Sequence, residues 1–369
     1  MSFFHIDAGR EWRGGQRQSL FLVKELRRQG FSVYYVVQPS SPLYYKASEA
    51  GLPILPIKMR HEFDLAAILR LAWAMKRKNC LLAHFHDAHG LAVGAASSSL
   101  AKVPLRIISR RVDFPLKKNF LSRRKYNKKI DAIVAISQGV KKILVESGLP
   151  SSKIKVIPSG LDFTPYQKAS SSNYLRREFS FADDDYLVGM IAHLADHKGH
   201  KYLIRATKLL REKAPKVKVI IVGEGPLRLE LTREVRDSGV EDIVFFLGFR
   251  QDIPRILSSL DLFVLSSYME GLGSIILDAM ACRLPVVATR VGGIPEVVTH
   301  NQTGLLVPAR SPSALAKAIL KLYNDRELAS RLGQQGYEVV HRKFSAESMA
   351  AKIVRLYEKL ARNKGIRLH

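Results

Sequence analysis

Short apolar runs alternate with segments of helical period along the whole chain. FFHIDA (3–8) reads as a strand, and a glycine pair, Gly14 and Gly15, follows it. SLFLVKELRRQG (19–30) then has the three-and-four spacing of an amphipathic helix, with Gly30 at its C-terminal end. FSVYYVVQ (31–38) is β-branched and aromatic, which suits a strand. DLAAILRLAWAMKRK (64–78) predicts a helix capped by Asp64. CLLAHFH (80–86), VPLRIIS (103–109) and DAIVAIS (131–137) predict further strands. Pro158, Gly160 and Pro165 interrupt the rhythm within KIKVIPSGLDFTPYQ (153–167) and mark the end of a first domain. SSSNYLRREFSFADDD (170–185) predicts a helix with an entry loop.

The alternation then restarts. YLVGMIAHL (186–194), VKVIIVG (217–223), DIVFFLG (242–248), DLFVLSS (261–267) and PVVAT (285–289) predict strands, and the chain after SPSALAKAILKLY (311–323) is helical to its end. Strand–helix alternation of this kind predicts an α/β protein with doubly wound parallel sheets. Two such units in tandem, residues 1–163 and 164–345, imply a cleft, because open α/β sheets bind ligands beyond the carboxyl ends of their strands.

Composition narrows the class. At 47% apolar residues the 369-residue chain is globular, and no stretch reaches the roughly 20 apolar residues that span a bilayer. MSFFHIDAGREWR meets charge too early for a signal peptide. Two distant cysteines, Cys80 and Cys282, argue against a disulfide framework and fit a cytoplasmic protein. The formal charge of +26 is unevenly spread: residues 1–163 hold 28 basic and 11 acidic side chains, the remainder 31 and 22. Such a field favours an anionic partner: nucleic acid, anionic lipid or a phosphorylated substrate.

Three stretches carry candidate chemistry. In EGLGSIILD (270–278), Gly271, Leu272, Gly273 and Ser274 form a loop before an apolar-faced helix. Unpaired N–H groups and the positive end of the helix dipole make that loop an anion site. Glu270 stands beside it, placed to accept hydrogen bonds from sugar hydroxyls, and Asp278 lies about one turn in, within reach of a ribose. An acid in the first turn with a loop glycine is the plainer reading. HFHDAHG (84–90) offers histidines and an aspartate that a metal could use. Its position at a strand end favours His86 and Asp87 as polar groups on an acceptor side, with Asp7 and Arg13 of similar standing. KKNFLSRRKYNKK (117–129) interleaves seven basic residues with Phe120, Leu121 and Tyr126. It suits contact with anionic lipid, a solvated helix face being the alternative. Trp12, Arg13 and Arg17 extend a cationic rim.

EGLGSIILD resembles the acidic signature of the retaining GT-B glycosyltransferases of family 4, Glu, seven residues, then Glu. GGQR (14–17), VIPSGLD (156–162), HLADHKGHKYLIRA (193–206), VGEGPLRLEL (222–231), LGFRQDIP (247–254) and LPVVATRVGGIPEVV (284–298) resemble further segments of that family, in order along nearly the whole chain. The resemblance implies a GT-B fold, two Rossmann-like domains facing each other across a cleft, with residues 346–369 forming a helix that packs back on the first domain. It implies a nucleotide-sugar donor held mainly by the C-terminal domain. Glu270 would bind the donor sugar, the amides of Gly271 to Ser274 would face the diphosphate, and Asp278 would hold the ribose. Lys198 would neutralise the leaving diphosphate, Gly14 and Gly15 would close over it, and the base would sit near Gly223, Gly225 and Arg250. No cofactor or metal is implied. The acceptor would be a lipid-linked or phosphorylated glycan, met at the inner face of the cytoplasmic membrane.

Three positions depart from the family pattern. Asp278 replaces the second glutamate, one methylene shorter. His193 stands where an arginine is usual. SRRVDF puts Arg110 and Arg111 where many relatives have a histidine near the reacting sugar, which suits an acceptor bearing phosphate or carboxylate. A nucleotide-sugar epimerase, a glycogen-type synthase, or an inactive protein of this fold binding nucleic acid or membrane are the competing readings. The retained Glu270, Lys198 and glycine loops rank nucleic-acid binding last.

Overall fold

The computed structural model describes residues 1–115, 126, 130–167 and 173–368. Most of the segment 117–129, the expected lipid contact, therefore lies outside the described residues, apart from the buried Tyr126. The chain divides into two units, Met1–Leu161 with Ala346–His369, and Asp162–Ser345.

Unit 1 runs β1 (Ser2–Asp7), α1 (Gly14–Arg28), β2 (Val33–Val37), α2 (Pro42–Glu49), β3 (Ile54–Pro56), α3 (Leu65–Arg77), β4 (Cys80–Phe85), α4 (Ala88–Leu100), β5 (Leu105–Arg110), β6 (Ala132–Ala135), α5 (Gln138–Glu146) and β7 (Ile154–Val156). Its seven strands lie in the order β3-β2-β1-β4-β5-β6-β7, all parallel. Every residue of β1 and β4 is buried, as a sheet covered on both faces requires.

Unit 2 runs α6 (Thr164–Gln167), α7 (Tyr174–Phe179), β8 (Tyr186–Ile191), α8 (His200–Leu210), β9 (Val217–Val222), α9 (Arg228–Asp237), β10 (Val244–Gly248), α10 (Ile253–Leu257), β11 (Leu262–Leu265), α11 (Ser274–Ala281), β12 (Val286–Thr289), α12 (Ile294–Val297), β13 (Leu305–Val307), α13 (Pro312–Asn324) and α14 (Arg326–Lys343). The strand order is β10-β9-β8-β11-β12-β13, again parallel. In both units the order reverses beside the first strand, at β1/β4 and at β8/β11, and that reversal opens the crevice in which such sheets hold ligands.

The last helix, α15 (Ala346–Arg362), belongs to unit 1. Its Met349, Ala350, Ile353, Leu356 and Tyr357 join a core with Leu22, Val23 and Leu26 of α1. Tyr357 meets Phe3 edge-on at 5.7 Å and its hydroxyl lies 2.5 Å from His84 Nδ1.

Several boundaries differ from the sequence reading, each for a physical reason. α1 begins at Gly14, so the glycine pair forms its first turn and not a loop ahead of it. Gly15 has open space where a Cβ would stand, so packing makes no demand for glycine there. α4, AHGLAVGAASSSL, gives little helical periodicity because small residues let it bury both Leu91–Val93 and Ser97–Ser98. β3, β7 and β13 have three residues each, too short to show a period.

Candidate active site

In unit 2 the loops after β8 and β11 flank the topological switch. The first contains a turn of 3-10 helix, Asp196–Lys198, and ends at Gly199 with φ +70°. A Cβ on Gly199 would come within 2.2 Å of the Ser266 carbonyl, and Ser266 Oγ donates to the Gly199 carbonyl at 2.9 Å. Tyr268 N donates to the His197 carbonyl at 2.9 Å. The two loops are therefore knitted together by backbone contacts.

That framework brings together Lys198 and Glu270, 72 residues apart in sequence. Lys198 Nζ donates to Glu270 Oε2 at 2.6 Å, and Ser267 Oγ donates to the same oxygen at 3.3 Å. The two side chains remain 20% and 14% exposed, so a ligand can reach them. Glu270 is held from behind: its carbonyl accepts from Gly293 N at 3.1 Å, and a Cβ on Gly292 would lie 1.8 Å from it, with φ +51°. Gly292 and Gly293 are positioning residues that residue type alone did not single out, although VGGIPE lies within the segment quoted above.

Gly273 adopts φ +76° and Ser274 opens α11. The first-turn N–H groups of a helix have no carbonyl partner within it, so this end can hold an anion. Leu272 points inward and is 1% exposed, so only its backbone faces the loop. Asp278 is fully buried, and its Oδ1 accepts from the Tyr166 hydroxyl of α6. The carboxylate expected to meet a ribose thus has a protein partner, Tyr166, which the sequence reading did not name.

The remaining donor-side residues are placed differently. His193 is exposed just beyond β8. Gly223 and Gly225 let the loop after β9 lie against the loop after β8: a Cβ would come within 2.0 Å of the Ala192 carbonyl and 2.5 Å of the Leu194 carbonyl. Their packing role alone requires glycine. Arg250, expected on the base side, has its guanidinium engaged by protein partners. It donates to Asp252 at 2.9 and 2.8 Å, to Glu178 at 2.6 and 3.1 Å and to the Tyr174 hydroxyl at 2.6 Å. This ties the end of β10 to α7, and Arg250 with Tyr174 holds the Asp252 carboxyl down at about 2.

In unit 1 the corresponding strand ends are occupied by buried polar groups. Asp7 is fully buried and accepts from Ser19 Oγ at 2.6 Å and from Gln16 Nε2 and Gly9 N at 3.1 Å. Asp87 caps α4 through Gly90 N at 2.8 Å and also accepts from Ala8 N at 2.6 Å. Burial, then the charge of nearby Asp7, raises its pKa to about 6. His86 is buried in a stack with His84 (4.5 Å between rings) and His5 (5.2 Å). Asp7 and His86 are buried and Asp87 is half-buried, and local backbone and side-chain donors bond to all three.

Proton positions in the stack follow from Arg111. Its guanidinium donates to His86 Nδ1 at 3.1 Å and to the His86 carbonyl at 3.2 Å. A neutral His86 then carries its proton on Nε2 and donates to His5 Nδ1 at 2.9 Å. The His5 proton falls on Nε2, which has no partner among the described residues. Burial, then neighbouring positive groups, lowers the pKa of all three; that of His5 falls to about 3. Ligating atoms of His5, His84 and His86 lie within 4.8 Å of one another. The fixed cation at Arg111 and the bonds from His84 to Tyr357 and Ser109 (2.9 Å) use the lone pairs and protons a metal would need changed. Arg110 Nη2 donates to the Phe114 carbonyl at 2.6 Å, Arg13 pairs with Glu11 at the surface, and Arg17 lies 5.8 Å over the Phe21 ring.

The profile described as Glycosyltransferase Family 4 matches residues 12–164, and that described as Glycosyl transferases group 1 matches residues 172–339. N-acetyl-alpha-D-glucosaminyl L-malate synthase of Bacillus anthracis is 26% identical over 311 residues, 82% of this chain and 80% of that protein. A GDP-mannose-dependent alpha-(1-6)-phosphatidylinositol monomannoside mannosyltransferase of Mycobacterium tuberculosis is 30% identical over 235 residues, 60% of each chain. The structure of Anabaena HepE in complex with UDP and glucose superposes with a TM-score of 0.87 over 97% of this chain and 100% of its own, at 22% identity, which speaks for the fold. One profile accounts for most of each unit, the strand orders are those of paired Rossmann-like sheets, and the chain belongs to family 4 of the GT-B glycosyltransferases.

Proposed function

We propose that this glycosyltransferase moves a sugar, with retention of anomeric configuration and without a metal ion, from a nucleoside diphosphate donor to a lipid-linked or phosphorylated glycan at the inner face of the cytoplasmic membrane. The observation that carries the reading is the Lys198–Glu270 pair beside the Gly271–Ser274 helix end, at the switch point of unit 2. Departure of a nucleoside diphosphate builds negative charge on phosphate oxygens, and a fixed ammonium with helix-end amides stabilises that charge as it forms. Lys198 thereby takes the part a divalent cation plays elsewhere. Glu270 accepts from the hydroxyls of the donor sugar and keeps Lys198 oriented. A leaving phosphate oxygen takes the acceptor proton, so the C–O bond to the acceptor forms on the face from which the diphosphate leaves.

The HepE complex with UDP and glucose supports a nucleotide-sugar donor, and the name of the mycobacterial mannosyltransferase supports a lipid-linked acceptor. The excess of basic residues in the first 163 positions favours an anionic acceptor or surface. None of the described helices is long and apolar enough to cross a membrane. The test is transfer from UDP-glucose, UDP-N-acetylglucosamine and GDP-mannose to lipid-linked acceptors, with and without a chelator, and the anomeric configuration of the product read by NMR. An inverted product, loss of activity with chelator, or no transfer from any donor overturns the corresponding part of the reading.

A further inference from the structure

The outer face of α3 is not what packing within unit 1 calls for. Ala67, Leu71, Ala74 and Met75 form the buried side, and α4 packs against the helix. On the other side Leu65, Leu69 and Trp73, spaced four apart and so in one row, are 64%, 54% and 61% exposed. Phe63 just before the cap is 84% exposed, and Leu100, at the end of neighbouring α4, is half exposed. A water-facing helix side is ordinarily polar, and single exposed apolar residues are ordinary while a continuous row is not. The other large exposed side chains of the helix are Arg70, Lys76 and Arg77, and LAAILRLAWAMKR contains no acid. Arg77 lies 5.0 Å over the Trp73 ring. Glu62, at the entry to the helix, is the nearest exposed acid in sequence.

We propose that this face of α3 is the surface by which the protein rests on an anionic lipid bilayer. Phe63, Leu65, Leu69 and Trp73 enter the interfacial layer, and Arg70, Lys76 and Arg77 meet headgroup phosphates. An apolar row edged by basic side chains, with a tryptophan in it, is the arrangement of a helix lying in a membrane interface. Charge selects lipid over a second copy of the chain, since a two-fold contact through α3 would set Arg70, Lys76 and Arg77 against their own duplicates. Charge also selects it over a basic or neutral protein surface. The inference deepens the membrane-face reading above and rests on it.

The experiment is co-sedimentation of the full chain with vesicles of phosphatidylglycerol and phosphatidylcholine, against phosphatidylcholine alone. Trp73 emission is followed in a Trp12→Phe background, since the chain has two tryptophans. Wild type should bind the anionic vesicles with a blue shift of Trp73. The Leu65→Ser, Leu69→Ser, Trp73→Ser triple variant should bind about a hundredfold more weakly. The Arg70→Gln, Lys76→Gln, Arg77→Gln variant should bind about tenfold more weakly or less and lose its preference for anionic vesicles. UDP-induced thermal stabilisation serves as the control for folding in both, and should be unchanged. Equal vesicle binding by the triple variant, or no vesicle binding by a wild type that still binds UDP, overturns the proposal. So does dimerisation lost in the triple variant without any vesicle binding. Vesicle binding as expected, with no transfer to any lipid-linked acceptor, would uphold this surface and remove the acceptor reading instead.

Discussion

Both units set acidic and basic side chains beyond the two central strands of a parallel sheet, and they use them in opposite ways. After β8 and β11 of unit 2, Lys198 and Glu270 meet in loops, partly open to solvent, each held by backbone contacts to the other loop. After β1 and β4 of unit 1, Asp7 and His86 turn inward and Asp87 is half-buried, and they bond to Ser19, Gln16, Gly90, Ala8 and His5. The same topology thus presents a partly open ion pair in one unit and a largely buried polar framework in the other. What separates them is where the hydrogen-bond partners come from. Glu270 is held through its backbone by Gly293 and accepts from Lys198 and Ser267 at one carboxylate oxygen, Oε2, whereas Asp87 accepts at both of its oxygens.

The contrast breaks most sharply under substitution of the pair. Glu270→Gln or Lys198→Ala should lower transfer by about 100- to 1000-fold, the cost of removing one preorganised electrostatic group. The melting temperature should fall as well, because the pair is mostly covered, at 20% and 14% exposed, and removing one charge leaves the other unpaired. A lowered melting temperature with unchanged transfer would make the pair structural, like its counterparts in unit 1. Glycines sharpen the comparison next. Gly292→Ala should cost about 3 kcal/mol in urea unfolding and reduce activity with it, because a Cβ there strikes the Glu270 carbonyl at 1.8 Å and φ is +51°. Gly15→Ala, with nothing within 4 Å of its Cβ, should be neutral or stabilising by a few tenths of a kcal/mol.

pH reports mainly on unit 1, although His200 of unit 2 is also buried, with its pKa lowered to about 3. His5, His84 and His86 are held neutral by burial, with pKa values below that of a free histidine. Such a base carries fewer protons folded than unfolded below about pH 6.5, so its contribution is present above that pH and lost as pH falls toward the folded value. Asp87 works in the opposite sense: its pKa is raised to about 6, so its contribution is lost as pH rises from the ordinary carboxylate range through 6. With His200, four histidines against one carboxyl give a net loss on acidification. Each histidine contributes a slope of about 1.4 kcal/mol per pH unit. Urea unfolding between about pH 7 and about pH 5 should show this loss, and a flat profile would contradict the buried, neutral stack. Tyr166→Phe removes one hydrogen bond to the buried Asp278 carboxyl and should cost about 1.5–3 kcal/mol, read by the same unfolding measurement.

Much of the fold was legible because β-branched runs and helical periods are strong along most of the chain; YLVGMI and VKVIIV, for example, became β8 and β9. α4 and the three-residue strands were not, since small residues and short lengths leave no period to detect. In unit 2 the spacing of Glu270 and the glycines pointed to an anion site, the family resemblance added Lys198, and the structure brings Lys198 and Glu270 to 2.6 Å. The partners that occupy Arg250 and Asp278, namely Glu178, Tyr174 and Tyr166, lie about 70 to 110 residues away in sequence, where no local pattern connects them. The inward turn of His86 depends on Arg111 and His5, again a matter of sheet order rather than of local sequence.

The most direct test of the division of labour at the unit 2 site is thermal stabilisation by UDP, UDP-sugars and GDP-mannose, with wild type and Glu270→Ala side by side. Ligand binding to the folded state raises stability by about 2.7 kcal/mol at a hundredfold excess over the dissociation constant. The account predicts that one nucleotide sugar stabilises wild type beyond its nucleoside diphosphate, and that Glu270→Ala loses this increment while keeping the diphosphate part. Loss of both parts together in a folded variant, or an undiminished sugar increment, would contradict it.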